Sequence, residues 1–241
     1  MIRFLIRLFL FLFVISLSIL IYKKNYLFTK LDNVILTFSV YTGNVLKEVY
    51  VSGRINENKN NITEALNVKI GDALFNINLN EIRNNLNKLS WVQDSKIYIL
   101  PLGKLEIEIF EYIPFGKYID KKKKYFLINN DGIKFKEIGL NEYSSLFKLR
   151  GEGALLKINE LSLIINKLKS FNLEVIDIER IDSRRWNIHL KKGYFIKLPH
   201  LNSINSLDAL YELDSNIKYD NLIFIDLRIK NRISIKYKHI D

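Results

Sequence analysis

The sequence predicts an α+β chain in three parts. A single N-terminal transmembrane helix comes first, then a small unit of order β-α-α-β-β, then a mainly antiparallel β domain with two helices. Three observations carry that expectation. Phe4 to Tyr22 is almost wholly apolar, with Arg7 its only charge. Between Val49 and Pro114, strand and helix patterns follow one another in a span of small-domain size. From Phe115 onward, short runs alternate apolar with polar residues on either side of one strongly amphipathic segment, Ile158 to Phe171. A period of two marks strands and a period of 3.6 marks helices, because side chains return to one face at those intervals.

The anchor is justified by length. At about 1.5 Å per residue, Phe4 to Tyr22 spans about 28 Å, close to the hydrocarbon thickness of a bilayer. Arg7 lies one turn inside and can snorkel to the headgroups. Tyr22, Tyr26 and Phe28 fall where aromatic rings favour the far interface. A cleaved signal peptide would have a shorter apolar core followed by small residues, whereas Ile19-Leu20-Ile21-Tyr22-Lys23-Lys24 follows here. The stretch is therefore expected to stay as an anchor, residues 1–22. Arg3 and Arg7 flank one side and Lys23, Lys24 and Lys30 the other. That balance does not decide orientation.

Residues 23–45 are expected to form a linker with an entry strand. Ile35, Thr37 and Ser39 alternate with Leu36, Phe38 and Val40, and Thr42-Gly43-Asn44 forms a turn. The first folded unit is expected over residues 46–113. Its first strand, Leu46 to Ser52, ends at Gly53. Asn61 with Glu64, and Asn78 with Glu81, have the spacing of capping boxes. Gly71 marks a turn, and Leu79, Ile82, Leu86 and Leu89 share one helical face. Trp91-Val92 opens the next strand, with Trp91 expected as a core anchor between helix and sheet. Pro101 and Gly103 mark a turn. Beyond it Leu105, Ile107 and Ile109 alternate with Glu106, Glu108 and Phe110, the pattern of a sheet packed on one side only.

Residues 114–241 are expected to form the β domain. Lys117 to Asp120 and Tyr125 to Asn129 pair across Lys121-Lys122-Lys123-Lys124, and Ile133 to Glu137 returns across Asp131-Gly132. Ile158, Leu161, Ile164, Ile165, Leu168 and Phe171 form one helical face. Strands Leu173 to Ile181, Arg185 to Leu190 and Tyr194 to Leu198 follow. A shorter helix uses Ile204, Leu207, Leu210 and Tyr211, and strands Leu222 to Ile229 and Arg232 to Tyr237 close the chain.

Composition narrows the function classes. A hydrophobic content of 48% supports packed cores, and the net charge of +11 allows an anionic partner. The basic residues are spread out, however, and the one dense run fits a solvated turn. No zinc-finger spacing, ribonucleoprotein motif or basic recognition helix accompanies it, so nucleic acid is not an expected partner. The chain has no cysteine, which removes disulfides and Cys-based sites. His189, His200 and His239 lack metal-binding spacing, and no nucleophile or phosphate-loop motif occurs. Asp226 and Arg228 are expected to form an ion pair on one strand face. Neither an enzyme activity nor a cofactor is expected.

These residues resemble the FtsQ/DivIB cell-division family with its POTRA domain. The likeness lies in Val49-x-Val51-x-Gly53, Gly71-x-x-Leu74-Phe75-x-Ile77, Trp91-Val92, Pro101, Leu105-x-Ile107-x-Ile109-x-Glu111 and Pro114. It continues in Asn129-Asn130-Asp131-Gly132, Trp186-x-Ile188-x-Leu190-x-x-Gly193 and Ile225-Asp226-Leu227-Arg228. The chain departs from the family at Glu111-Tyr112-Ile113-Pro114, where Glu-Arg-x-Pro is frequent, and its expected cytoplasmic tail is short. The resemblance implies structural roles for Gly53, Gly71, Phe75, Trp91 and Pro101. It also implies a single-pass inner-membrane protein with a cytoplasmic N-terminus and a periplasmic bulk, placed at the division septum. The implied partners are FtsB and FtsL, bound by strand addition, with other division proteins on the POTRA domain. The last strand offers the edge for that contact: Ile229, Ile233, Ser234, Ile235 and Tyr237, with Arg228 positioning it. A POTRA-bearing factor for outer-membrane protein transport or assembly is the alternative, disfavoured by a single POTRA pattern with no barrel.

Overall fold

A computed structural model describes residues 24–213 and 219–238, together with Phe9 and Phe13. Apart from Phe9 and Phe13, the anchor expected at Phe4 to Tyr22 lies outside the described residues. Among the described residues, no helix is long and apolar enough to cross a membrane. The chain divides between Glu111 and Tyr112 into two compact units.

The first unit contains α1 (Lys24–Thr42), β1 (Glu48–Ser52), α2 (Lys59–Leu66), α3 (Leu79–Leu86), β2 (Val92–Leu100) and β3 (Lys104–Glu111). Its sheet has the order β1-β3-β2, with β1 parallel and β2 antiparallel to β3. Leu105, Ile107 and Ile109 turn inward from β3 and pack with Leu46, Ile62, Leu66, Ile82 and Leu86. Glu106 and Phe110 turn outward. The two-residue period thus produces a sheet covered by helices on one face only.

Three expectations fail in this unit. The entry strand is instead the C-terminal part of α1. Ser39 is buried and Ile35 half-buried, four residues apart on one helical face, while Leu36, Phe38 and Val40 are exposed. A short run of β-branched and apolar residues fits either period, and the helix prevails because it continues from Lys24 and is capped. Thr42-Gly43-Asn44 is that cap. The Asn44 N–H donates to the Ser39 carbonyl (2.8 Å) and the Gly43 N–H to the Val40 carbonyl (3.2 Å), the Schellman pattern, with Gly43 at φ +72°. The cap of α2 is Asn58 rather than Asn61: its side chain accepts from the Asn60 N–H at 2.8 Å. Phe75 is the third. The 3₁₀ turn Leu74–Asn76 directs Leu74 and Ile77 to the core and leaves the Phe75 ring exposed. The Asn78 cap is present, its side chain accepting from the Glu81 N–H at 3.2 Å.

The second unit contains β4 (Gly116–Ile119), β5 (Tyr125–Ile128), β6 (Lys134–Ile138), β7 (Lys148–Arg150), α4 (Ile158–Ser170), β8 (Val175–Ile181), β9 (Arg185–Leu190), β10 (Phe195–Lys197), α5 (Ser203–Ser206), β11 (Leu222–Ile229) and β12 (Arg232–Tyr237). Nine strands form one sheet in the order β12-β11-β10-β9-β8-β7-β4-β5-β6. Five of its strand pairs are antiparallel and three parallel, so the expected antiparallel majority holds. β7 has no counterpart in the sequence expectation. Its three residues are too few to show a period, yet it joins β4 to β8 in parallel. The buried stripe of α4, Ile158, Leu161, Ile164, Ile165 and Leu168, packs in one core with Trp186, Ile188 and Ile196.

The lysine run is a solvated turn between β4 and β5. Asp120 Oδ1 accepts from the Lys122 and Lys124 N–H groups, both at 2.8 Å, and Lys124 pairs with Glu137 at 2.9 Å.

Candidate partner-binding site

β12 ends the nine-stranded sheet. Among the described residues it pairs with β11 alone, so its outer rim is unpaired. The pairing register sets Asp226 opposite Ser234, Ile225 opposite Ile235 and Ile229 opposite Arg232. Both irregularities in this ladder insert an extra residue in β11, between Leu222 and Phe224 and between Asp226 and Ile229. β12 therefore keeps an unbroken alternation.

That alternation fixes which backbone groups face outward. The Lys238 N–H donates to the Asn221 carbonyl at 2.8 Å, so it points toward β11. Successive N–H groups of a strand point to opposite sides. Those of Lys236 and Ser234 then point inward, and those of Tyr237, Ile235 and Ile233 point away from the sheet. The side chains alternate across the faces of the sheet, and Ile233 and Ile235 pack against the core. Ile229 and Tyr237 are exposed. Among the described residues the rim thus carries unpaired main-chain donors backed by the half-buried Ile233 and Ile235.

Arg228 is held at the turn end of β11. Its Nη2 lies 2.6 Å from Asp226 Oδ2, its Nε 2.8 Å from Oδ1, and its own N–H donates to Oδ1 at 3.1 Å. Burial would push the Asp226 carboxyl up, but the Arg228 hydrogen bonds outweigh it and hold that carboxyl below the usual carboxylate range. The bond to Asp226 raises Arg228 in turn. A bidentate pair between residues two apart on one strand face locks the guanidinium without removing it from solvent. Beside the turn joining β11 to β12 a cleft of about 990 Å³ opens, with Pro199, Leu201, Arg228, Ile229 and Ile233 among its lining.

Sequence spacing brought Asp226 and Arg228 together correctly. It gave no sign of the cleft, whose walls come from segments distant in the chain. Lys197, whose Nζ sits 3.7 Å from the Phe224 ring centroid beside the same strands, was also missed.

The residues with implied structural roles lie in the first unit. Gly53 has φ +78°, and a Cβ there would meet the Ile109 carbonyl oxygen at 2.1 Å, which only glycine avoids. Gly71 donates its N–H to the Leu46 carbonyl at 2.8 Å. Trp91 is buried, and its N–H donates to Glu57 Oε2 at 3.2 Å. Pro101 opens the β2–β3 turn. His189 stacks on Phe195, with ring centroids 4.9 Å apart, and His200 Nδ1 lies 3.1 Å from the Arg184 carbonyl oxygen. His239 lies outside the described residues. Among the described residues, no three His, Cys, Asp or Glu side chains are grouped as a metal site requires.

Residues 45–112 match the family "POTRA domain, FtsQ-type", and residues 117–228 match "Cell division protein FtsQ/DivIB, C-terminal". The chain is similar to the Cell division protein FtsQ of Rickettsia bellii, 29% identical over 193 residues, covering 79% of this chain and 72% of the relative. It is similar to the Cell division protein FtsQ of Rickettsia felis at 27% over 232 residues, 92% of this chain and 86% of the relative. The protein of that name from Novosphingobium aromaticivorans is 26% identical over 152 residues, 63% of this chain and 47% of its own.

Proposed function

The chain belongs to the FtsQ/DivIB cell-division family, a non-enzymatic division scaffold, and from that premise we propose that it recruits FtsB and FtsL to the division site by strand addition on β12. One observation carries the reading: β12 is a sheet edge whose Ile233, Ile235 and Tyr237 N–H groups point away from the sheet. An incoming strand gains about 1 kcal/mol net per hydrogen bond, so several bonds and flanking side-chain contacts must act together. Ile229 and the cleft beside the turn supply apolar contact, Ser234 and Tyr237 a hydroxyl each, and Arg228 a fixed charge.

The same reading tethers the protein by Phe4 to Tyr22 in the inner membrane, with residues 23–45 leading to a POTRA domain over 46–113 and the β domain over 114–241. The N-terminus is cytoplasmic, and the bulk is periplasmic at the septum. Other division proteins dock on the POTRA domain.

The test is Ile235→Pro in the full chain, assayed by pull-down with FtsB and FtsL. Proline removes an outward N–H and leaves the β11 ladder intact. Capture of the partner pair is lost, while thermal unfolding stays near that of Ile235→Ala, which gives up the same core packing but keeps the N–H. Full capture by a folded Ile235→Pro chain overturns the site.

A further inference from the structure

α1 presents an apolar stripe that nothing in its own unit covers. Leu31, Val34, Phe38 and Tyr41 recur at helical spacing and are 57%, 66%, 60% and 90% exposed. Among the described residues of α1, Ser39 is buried against the unit and Ile35 is half-buried beside it. Water-facing helices normally put such residues inward.

Two occupants suit such a stripe, a partner helix or a lipid surface, and its surroundings favour lipid. A coiled-coil seam is narrow and flanked by charged residues that set the pairing. Here Leu36 and Val40, away from the stripe, are exposed as well. No charged residue occurs between Asp32 and Lys47. The exposed Phe75 ring, on the turn that contacts α1, adds apolar surface. Chain length supplies the proximity. α1 begins at Lys24, so a single residue separates it from the apolar stretch ending at Tyr22.

We propose that the C-terminal half of α1 lies in the headgroup–acyl boundary of the bilayer, through Leu31, Val34, Phe38 and Tyr41. An apolar helix stripe at that depth leaves water. The first unit is then held against the membrane surface rather than swinging on a free linker. The inference rests on the membrane tether of the proposed function.

The chain has no cysteine, so one introduced thiol gives a unique label. Tyr41→Cys and Glu106→Cys, both at exposed positions, are labelled with an environment-sensitive fluorophore. Each full-length chain is reconstituted alone in 3:1 phosphatidylethanolamine–phosphatidylglycerol vesicles. At position 41 the emission shifts to the blue, brominated acyl chains quench it, and quenching by aqueous iodide is lost. At position 106 iodide quenches. Phe38→Asp in the Tyr41→Cys background restores iodide quenching. If the chain sediments with the vesicles after carbonate washing but iodide quenches position 41 as strongly as 106, the α1 inference is overturned and the tether stands. If the chain washes off, both fall. A position 41 label that becomes dry only when a partner protein is added overturns the lipid assignment in favour of a helix.

Discussion

Glu111, the last residue of β3, holds the loop that follows β1. Its carboxylate accepts from the Ile55, Asn56 and Glu57 N–H groups at 2.9, 2.7 and 2.9 Å, and from the Asn56 side-chain amide at 3.0 Å. Removing it strands those donors, so Glu111→Ala costs about 1–3 kcal/mol, measured by urea unfolding of the full chain. Burial pushes the Glu111 carboxyl up, but these donors prevail and hold it below its ordinary value of 4.5. A carboxyl lowered on folding contributes stability that is fully present above its unfolded value and is lost as pH falls through the folded one. The urea midpoint is therefore expected to hold from neutral pH to about the ordinary carboxylate value and to drop below it. Glu111→Gln flattens that part of the drop, and an unchanged slope in the variant refutes the assignment. The sequence marked Glu111 only among the residues that carry the family resemblance, because its partners lie more than fifty residues earlier.

At the scale of elements, alternation along β12 makes neighbouring positions unequal. Ser234 points its N–H into the β11 ladder and Ile235 points its N–H out. Ser234→Pro therefore removes a bond of the fold itself and costs about 1–3 kcal/mol, seen as a lowered melting temperature, whereas Ile235→Pro acts on partner capture. Equal melting losses for the two prolines, each measured against the alanine variant at its own position, would show that the assigned alternation is wrong. α1 is the opposite lesson. Its residues 35–40 satisfy a two-residue and a 3.6-residue period alike, and no local feature of the run separates them. Gly43 was visible as a turn residue; that it closes a helix became clear only from the Asn44 and Gly43 hydrogen bonds.

At the scale of the whole molecule, each unit has its own core. One is built on Leu46, Ile62, Leu86 and Ile107, the other on Leu161, Ile164, Trp186 and Ile196. A cavity in one core should weaken that unit alone. Leu161→Ala, at a fully buried position, is expected to cost about 2–5 kcal/mol and to lower one calorimetric transition while leaving the other in place. Glu111→Ala lowers the other, and a single transition moved by both variants would refute independent cores. The sequence by itself determined the local facts: the two-residue period of strands such as β3, the 3.6-residue period of helices such as α4, and that Asp226 and Arg228 share a strand face. Those depend on neighbours a few residues away. Tertiary structure alone decided which strands lie side by side, that three-residue β7 bridges β4 to β8, that Phe75 faces water, and that β12 rather than any other strand forms its rim of the sheet. Such facts depend on pairing between distant segments, where the loss of chain entropy is repaid by a whole core at once and no single stretch records the outcome.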